Sequence, residues 1–585
     1  MGMQIENVES VLPEGLSAPV LNVLTADANN YSALILQSRG DIEARNTSIQ
    51  SQDRKLVEAQ FGQFLENAVA AQPDLVITPE YSMPWEVLTN AIRDEKVCPA
   101  EGKLWVLGCE SIRYSELQRL KSDLGHVAEV LFEQLDTNDE KFLDPLAYVF
   151  RAPAGDGSSK LVVLVQFKTC PMVDGHDFER NRLQTGKQVY KFGTTGETVT
   201  LLTFICSDFL AVDDQIARKH YRDALILNIQ LLGQRQHNIP LDFRGRFLGL
   251  SGDSTELITI NWARGTKIFV ENSDAHVGKC GGSAWYLKSP NLDLCDRVVA
   301  SNHRKGLYYT WSQSRRTHVA FFNFSPATFR LTTSKVVRIG VPAPAGQRLG
   351  PKLDTAETWD AKTGWTEVQE LDDGFSLVCT ECGGACDQIR TVYNACPVAG
   401  ERLISLCAGD GVTKTNGYAV SSLISFGLPE DELIRRLTFC QPGHSSSIEF
   451  RRSRYRRCGQ LWNALNDVHA LPAALSDASN GFTLIWSSDS PYQNLQAGKG
   501  AATVVFADIM TQDEAESIHG AIRKRLSETL PPDADGEEHM QSSAHHAMQR
   551  IALWYNDSTG IRRLFAKTPR INDELDDSTD IRRTS

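Results

Sequence analysis

Three residues with complementary chemistry each follow a strongly apolar stretch of the sequence. Cys206, Lys168 and Glu80 all come directly after runs rich in Leu, Ile, Val and Phe. Short apolar runs of this kind are typical of buried strands, and the active sites of α/β proteins lie at the carboxyl ends of their strands. The pattern therefore predicts that a thiol, an ammonium group and a carboxylate each stand at the carboxyl end of a strand, where an active site can form.

These three groups suit the hydrolysis of a carbon–nitrogen bond through a covalent intermediate. Cys206 would attack the substrate carbon, because a thiolate is a strong nucleophile at neutral pH. Glu80 would accept the thiol proton and return it to the leaving amine. Lys168 and the backbone N–H of Ser207 would stabilise the negative charge that develops on oxygen. We therefore predict a cysteine-dependent hydrolase with Glu80, Lys168 and Cys206 as catalytic residues.

The elements that must position these residues alternate between strands and helices over residues 20–335. Residues 53–71 place apolar side chains on one face, which predicts an amphipathic helix. A Gly-containing polar turn at residues 154–159 lies between two apolar runs and predicts a β-hairpin. The near-continuously apolar strands indicate an α/β fold in which helices cover the sheet.

The ordered motifs resemble the nitrilase, or carbon–nitrogen hydrolase, superfamily over about residues 20–330. The matching segments are residues 74–82 with Glu80, 147–150, 165–168 with Lys168, 183–186, 203–208 with Cys206, 223–228, 258–264 and 281–283. The resemblance implies a four-layer α-β-β-α sandwich that assembles into a homodimer or a larger homo-oligomer. It also implies that the reaction needs no metal and no organic cofactor, and it favours amide over nitrile substrates.

Several positions depart from the motifs of this family or match them only loosely. Ser207 stands where the family usually has an aromatic residue, and Asp144 stands where it often has Asn. Many members carry a second carboxylate shortly after the lysine, and Glu179 is our candidate for it. Tyr81 and Asn228 are further candidates for oxyanion or substrate binding, although a place in the core or at a strand end would explain each equally well.

A Pro/Gly-rich segment after the motifs predicts a domain boundary. We expect a hydrolase domain at residues 1–338, a linker at 339–355, a separate mixed α+β accessory or sensing domain at 356–570, and a flexible acidic tail at 571–585. Within the accessory domain, residues 511–530 and 537–555 are predicted to be helical.

A cluster of cysteines in the accessory domain raises the question of a zinc site. Cys379, Cys382 and Cys386 include a Cys-x-x-Cys pair, which suits half of a tetrahedral zinc site. The remaining ligands would come from residues that lack paired spacing, namely Cys396, Cys407, Cys440 and His444. Zinc binding and free thiols therefore both remain open.

Composition excludes some broad classes of function. The formal net charge of −13 over 585 residues argues against a general nucleic-acid-binding protein, which would be basic. No apolar stretch approaches the roughly 18–20 residues that cross a membrane, and the first residues lack the apolar core of a signal peptide. The 13 scattered cysteines suit a reducing compartment. These features predict a cytoplasmic protein that acts on a small molecule.

A second hypothesis comes from another class of function. The first domain could serve as a scaffold of the nitrilase fold whose accessory domain senses a ligand or partner, as in a multi-component, defence-type system. A scaffold should keep its function when Cys206 is replaced by Ala or Ser, whereas a hydrolase should lose all turnover. A third hypothesis, transfer of ammonia or an acyl group to a synthetase domain, lacks the support of a phosphate-binding Gly-rich loop.

Overall fold

The computed structural model of the chain divides into two compact units. The structure describes residues 3–94, 96–138, 140–172, 178–193, 199–232, 238–250, 254–271, 276–277, 283–288, 292–293, 296–312, 317–340, 348–371, 379–395, 397–409, 445–467, 481–487, 493–498, 500–529 and 550–565. The described residues up to 371 belong to the first unit, and those from 379 onward belong to the second.

The first unit contains strands and helices that alternate over most of its length. Its strands are β1 Gln4–Asn7, β2 Asn30–Gln37, β3 Asp41–Arg45, β4 Ser48–Ser51, β5 Leu75–Ile77, β6 Leu104–Gly108, β7 Glu129–Phe132, β8 Pro145–Pro153, β9 Ser159–Phe167, β10 Gln188–Phe192, β11 Thr200–Ile205, β12 Ala224–Ile229, β13 Thr255–Ile260, β14 Lys267–Val270, β15 His276–Val277, β16 Ala284–Lys288, β17 Leu292–Asp293, β18 Leu307–Ser312, β19 Thr317–Phe322, β20 Ala327–Ser334, β21 Arg348–Leu349, β22 Lys352–Asp360 and β23 Gly364–Val368. Its helices are α1 Val8–Val11, α2 Arg54–Ala71, α3 Trp85–Arg93, α4 Tyr114–Leu124, α5 Phe178–Arg182, α6 Asp214–His220, α7 Asn238–Leu248 and α8 Asp296–Arg304, with a 3₁₀ helix at Cys206–Leu210.

Two large sheets carry the candidate residues. The first has the strand order β23-β22-β20-β2-β5-β6-β8-β9-β7, and the second has the order β1-β10-β11-β12-β13-β16-β19-β18. In the first sheet β2, β5 and β6 run parallel to one another, as β11, β12 and β13 do in the second. Parallel neighbours bring their carboxyl ends to the same edge, which is where a site can form.

The two sheets pack face to face because their strands alternate between two buried faces. In β2, Ala33 and Ile35 join a core that both sheets share, whereas Leu34 and Leu36 face outward. The outward face of the first sheet is covered by α2, α3 and α4, and that of the second by α6 and α7. The layers therefore run helix, sheet, sheet, helix, and the α/β class expected from the sequence is confirmed.

Local predictions hold where the sequence pattern is strong. The helix predicted at residues 53–71 is α2, whose N-cap residue Asp53 accepts a hydrogen bond from the Leu56 N–H at 3.1 Å. The predicted hairpin is β8–β9, which pairs from Pro145 opposite Phe167 to Pro153 opposite Ser159. This hairpin leads directly into Lys168.

The first unit extends beyond the Pro/Gly-rich segment that the sequence marks as a linker. Strand β22 pairs antiparallel with β20, and β23 pairs with β22, so residues 352–368 complete the first sheet rather than opening the second domain. Leu353 and Ala356 alternate into the shared core, which explains why this stretch joins it. Residues 341–347 of the predicted linker lie outside the described residues.

The second unit combines a small sheet with several helices. Its strands β24 Thr483–Leu484, β25 Leu495–Ala497, β26 Gly500–Ile509, β27 Ile551–Asp557 and β28 Gly560–Phe565 form one sheet in that order. Its helices are α9 Cys386–Ala395, α10 Pro397–Cys407, α11 Ser445–Asn466 and α12 Gln512–Thr529, with a 3₁₀ segment at Cys379–Ala385.

The predictions for the second unit are only partly correct. The helix predicted at residues 511–530 is α12, but the helix predicted at 537–555 is wrong for residues 551–555, which belong to strand β27. The continuously buried run Ile551-Ala-Leu-Trp-Tyr555 suits a strand that is covered on both faces. The predicted tail, residues 571–585, lies outside the described residues. Among the described helices, none is long and apolar enough to cross a membrane.

Candidate active site

Glu80 follows β5 of the first sheet and is held by residues that follow β12 and β13 of the second sheet. Its side chain is 1% exposed, its carboxylate accepts a hydrogen bond from the Leu231 N–H at 2.5 Å, and its backbone carbonyl accepts one from the Trp262 indole at 2.7 Å. Gly108 at the end of β6 lies so close that an added Cβ would stand 2.2 Å from the Pro79 carbonyl oxygen. Only glycine permits this approach.

Lys168 lies at the centre of three carboxylates. Its Nζ is 2.7 Å from Glu80 Oε1, 2.8 Å from Glu179 Oε1 and 3.3 Å from Asp144 Oδ2. Burial lowers the pKa of Lys168, but Glu179 and Glu80 outweigh burial and hold that pKa well above its usual range. Lys168 is therefore a charged ammonium group in a water-poor site.

Glu179 reaches the site from the short helix α5. Besides Lys168, its carboxylate accepts hydrogen bonds from the Tyr81 hydroxyl at 3.1 Å and from the Met172 N–H at 2.7 Å. The backbone φ of Tyr81 is +55°, which is unusual for a residue with a side chain. Both of these sequence-based candidates thus lie beside Lys168, with Tyr81 fixing the second carboxylate.

Cys206 stands at a strained turn at the end of β11. Its φ is +40°, and it begins the 3₁₀ helix Cys206–Leu210. Burial raises the pKa of the Cys206 thiol well above its usual range, with Glu80 adding to the rise and Lys168 opposing it. The Leu231 N–H, which binds Glu80, lowers the pKa of the Cys206 thiol slightly. The thiol, the Glu80 carboxylate and the Lys168 ammonium group therefore affect one another in one buried site.

Ser207 and Asn228, two further candidates, support the turn around Cys206. The Ser207 hydroxyl donates to the Cys170 carbonyl oxygen at 2.6 Å. The Asn228 amide donates to the carbonyl oxygens of Phe204, at 3.0 Å, and of Cys206, at 3.5 Å. Both side chains thus bind backbone in this structure.

Asp208 joins two backbone segments of the site, a role that its position in the sequence indicates only weakly. Its Oδ1 accepts hydrogen bonds from the N–H groups of Thr169, at 2.6 Å, and Cys170, at 3.1 Å, and Oδ2 accepts one from the Ile205 N–H at 3.0 Å. One buried carboxylate therefore joins the segment after Lys168 to the cysteine turn. From the sequence alone, a turn or N-cap role and a contact with substrate are both open for Asp208.

Asp144 is the residue of this site that the chemical reasoning from sequence did not select. It precedes β8, and its backbone carbonyl accepts a hydrogen bond from the Lys168 N–H at 3.0 Å. Its carboxylate lies with those of Glu80 and Glu179 in a group whose ligand atoms are all within 4.8 Å of one another. Lys168 Nζ lies among these three carboxyl groups, at 2.7 to 3.3 Å from each.

The cysteines of the second unit form a different cluster from the one expected. The thiol of Cys458, which the Cys-x-x-Cys spacing does not mark, is buried like those of Cys382 and Cys407, and both of these thiols affect its pKa. Cys386 is partly exposed and lies 3.5 Å from an Arg390 guanidinium nitrogen. The side chains of four further candidates, Cys379, Cys396, Cys440 and His444, lie outside the described residues. Zinc binding and free thiols therefore both stay open.

Comparisons with known proteins reveal similarity in structure and none in sequence. No family model matches the chain, and no curated protein matches it either. A glutamine-dependent NAD+ synthetase from Acinetobacter baumannii is similar with 12% identity and a TM-score of 0.31, over 54% of this chain and 49% of that one. The chain thus spans about half the length of that synthetase.

Two further similar structures come from one amidase. An amidase from Nesterenkonia sp. matches with 14% identity and a TM-score of 0.26, over 45% of this chain and 84% of that one. A mutant described as an amidase from the nitrilase superfamily matches with 13% identity, a TM-score of 0.26 and the same coverage. At a low level of identity, the chain is therefore similar in structure to a nitrilase-superfamily amidase.

Proposed function

We propose that the first unit is a divergent, nitrilase-like hydrolase that cleaves an amide carbon–nitrogen bond, with Cys206 as its nucleophile. The observation that carries this proposal is the buried contact of Lys168 Nζ with Glu80 Oε1 at 2.7 Å, beside a Cys206 thiol whose pKa both groups affect. A base within reach of a nucleophile is the arrangement that covalent catalysis requires. The four-layer order of helices and sheets supports the same assignment.

The raised pKa of Cys206 determines how the reaction begins. Because burial keeps the thiol protonated at rest, the sulfur needs a base at the moment of attack. Glu80 accepts the thiol proton as the sulfur bonds to the carbonyl carbon, and a tetrahedral intermediate with a negative oxygen forms. Glu80 then passes this proton to the nitrogen, so that the carbon–nitrogen bond breaks and an amine leaves a thioester behind.

Lys168 and the Ser207 N–H stabilise the negative oxygen. The ammonium group of Lys168 is fixed by Glu80 and Glu179 at 2.7 and 2.8 Å, so it needs little reorganisation when the charge forms. Ser207 lies in the first turn of the 3₁₀ helix, where backbone N–H groups lack partners within the helix. Water deprotonated by Glu80 then cleaves the thioester, releases the acid and restores the thiol.

Glu179 keeps the lysine in place rather than exchanging protons with substrate. Its two carboxylate oxygens are occupied by Lys168, the Tyr81 hydroxyl and the Met172 N–H. A carboxylate held in this way fixes both the charge and the direction of the ammonium group. Amides are favoured over nitriles because the family that the motifs resemble acts mostly on amides.

The test is release of ammonia from a panel of short aliphatic and aromatic primary amides and nitriles. We expect turnover by the wild type, none by C206A or C206S, and a rate at least about 100-fold lower for E80Q, because a general base contributes at least this factor. C98A is the matched control, since Cys98 is buried among the helices that cover the first sheet.

Two results would count against a hydrolase. Turnover that survives C206A would remove Cys206 from the chemistry. A panel on which the wild type releases no ammonia would favour the alternative, a nitrilase-fold scaffold with a sensing second unit. A regulatory role for the second unit, and assembly into a homodimer or larger homo-oligomer, stay predictions.

A further inference from the structure

Among the described residues of the candidate site, three carboxyl groups surround one cation, Lys168. Glu80, Asp144 and Lys168 are each 1% exposed in their side chains, and Glu179 is 11% exposed. If all three acids were ionised, two negative charges would remain uncompensated in a buried site. Uncompensated buried charge is costly enough that a group normally changes its protonation state instead.

The hydrogen bonds identify which of the three acids takes up a proton. Glu80 accepts from the Leu231 N–H, and Glu179 accepts from the Tyr81 hydroxyl and the Met172 N–H. Both side-chain oxygens of Asp144 are buried and lack a hydrogen-bond partner among the described residues. Asp144 also lies farthest from Lys168 Nζ, at 3.3 Å against 2.7 and 2.8 Å. An acid with no donor directed at it is the one that a proton stabilises most.

We propose that Asp144 is a neutral carboxylic acid in the resting protein and donates a hydrogen bond to the Glu80 carboxylate, holding it toward Cys206. Asp144 is therefore a positioning residue, and this role rests on the proposed function of Glu80 as the base. The protonation state itself does not depend on that function. One proton on Asp144 leaves a net charge of −1 from the acids and Lys168, in place of −2.

Burial and the two neighbouring carboxylates favour the neutral form of Asp144, whereas Lys168 favours the ionised form. Burial raises the pKa of Asp144 well above the usual range, Glu80 and Glu179 add to the rise, and Lys168 lowers it. Tyr81 and Cys109 also face Asp144. Burial raises the pKa of each of these groups, so both are neutral. Among the described residues, the titratable groups that face Asp144 are thus Glu80, Tyr81, Cys109, Lys168 and Glu179.

The first experiment compares urea unfolding midpoints of the wild type and D144N from pH 4 to pH 9. An acid whose pKa is raised by folding adds stability below its unfolded pKa of 3.8 and loses it as the pH rises toward the folded pKa. Because Asn has no proton to lose, we expect D144N to become more stable than the wild type, by a margin that widens as the pH rises.

A matched substitution in the same unit should behave in the opposite way. Asp74 accepts hydrogen bonds from the Lys103 ammonium at 2.7 Å and from the Ser32 N–H at 2.8 Å, and these bonds lower its pKa. D74N should therefore be less stable than the wild type near neutral pH. If D144N also proves less stable, with no widening margin, Asp144 is ionised and the proposal is refuted.

The second experiment tests the positioning role through the reactivity of Cys206. We expect D144A to lower kcat/KM for the best amide about 10- to 100-fold, the loss that a small misplacement of a catalytic group causes, and D144N to recover most of it. D144A should also move the acid limb of the pH profile of Cys206 alkylation to higher pH, because Glu80 loses a donor.

The two experiments separate failure of this inference from failure of the proposed function. Absence of turnover in the wild type would overturn the hydrolase, while the unfolding data would still decide the protonation of Asp144. Equal losses of kcat/KM in D144N and D144A, with an unmoved alkylation profile, would refute the positioning role.

Discussion

Replacing Gly108 by Ala tests the close approach that positions Glu80. An added Cβ would lie 2.2 Å from the Pro79 carbonyl oxygen and 2.9 Å from the Glu80 Cα, and both are backbone atoms that cannot rotate away. The Gly108 carbonyl also accepts hydrogen bonds from the N–H groups of Ser82, at 3.0 Å, and Met83, at 2.8 Å, and the Gly108 N–H donates to the Thr78 hydroxyl at 3.0 Å, so the segment is fixed on both sides of Glu80. The Glu80 segment must therefore move by about 1 Å, a displacement that can lower a catalytic rate about 100-fold.

The loss of stability follows from two opposing effects. Overpacking of this kind costs about 1–3 kcal/mol, whereas Ala restricts the unfolded chain and returns less than about 1 kcal/mol. We therefore expect G108A to lower the free energy of unfolding by about 1–2 kcal/mol, measured by urea titration with circular dichroism. Alkylation of Cys206 by iodoacetamide, followed by peptide mass spectrometry, should also change in rate, because Glu80 moves relative to the thiol.

Gly62 provides the matched control within the same unit. It lies inside helix α2, and an added Cβ would meet nothing within 4 Å. G62A should raise the free energy of unfolding by about 0.5–1 kcal/mol, because Ala suits a helix interior better than Gly does. If G108A were as stable as G62A, the close contact between β6 and the Glu80 segment would not exist, and the account of how Glu80 is positioned would be refuted.

Two further predictions concern other parts of the first unit. Burial lowers the pKa of His220 to about 4, below the value near 6.5 that it has in the unfolded chain. Neutral His220 therefore contributes to the free energy of unfolding above pH 6.5, and this contribution is lost as the pH falls toward 4. The wild type should lose up to about 3 kcal/mol of unfolding free energy over this range, and H220Q should lose less, as urea midpoints at several pH values would reveal. Glu256 is fully buried, pairs with Arg348 and accepts hydrogen bonds from Tyr31 and Trp285. E256Q should cost about 3–5 kcal/mol in the same assay because it leaves the guanidinium uncompensated, whereas replacing both charged partners by apolar residues should cost less.

The catalytic candidates could be found in the sequence because each one is marked locally. Glu80, Lys168 and Cys206 follow strands whose apolar runs are continuous, and their chemistry is recognisable from residue type alone. The position of Asp144 beside Lys168 can also be predicted from the sequence. Pro145 pairs with Phe167 in the β8–β9 hairpin, so the register places Asp144 opposite Lys168. The turn at residues 154–159 predicts that hairpin, although chemical reasoning alone does not point to a second acid there.

Other features depend on contacts that no local pattern reveals. Residues 352–368 follow a Pro/Gly-rich segment and resemble the start of a new domain, yet β22 finds its partner in β20. Residues 551–555 are apolar enough to form either a buried helix or a buried strand. They form a strand because they pair with β26 and β28. In both cases a long-range partner determines the structure, because backbone hydrogen bonding favours an available strand edge.

The strained residues explain why the supporting side chains of the site bind backbone. Tyr81 and Cys206 both have positive φ angles, and each such residue costs about 1–3 kcal/mol unless its surroundings fix it. The surroundings here are hydrogen bonds to the backbone next to these residues. Asp208 binds the Ile205 N–H, Asn228 binds the Cys206 carbonyl oxygen, and the Trp262 indole binds the Glu80 carbonyl oxygen. These bonds fix the direction of the Cys206 thiol and of the Glu80 segment, and this is the preorganisation that the proposed mechanism requires.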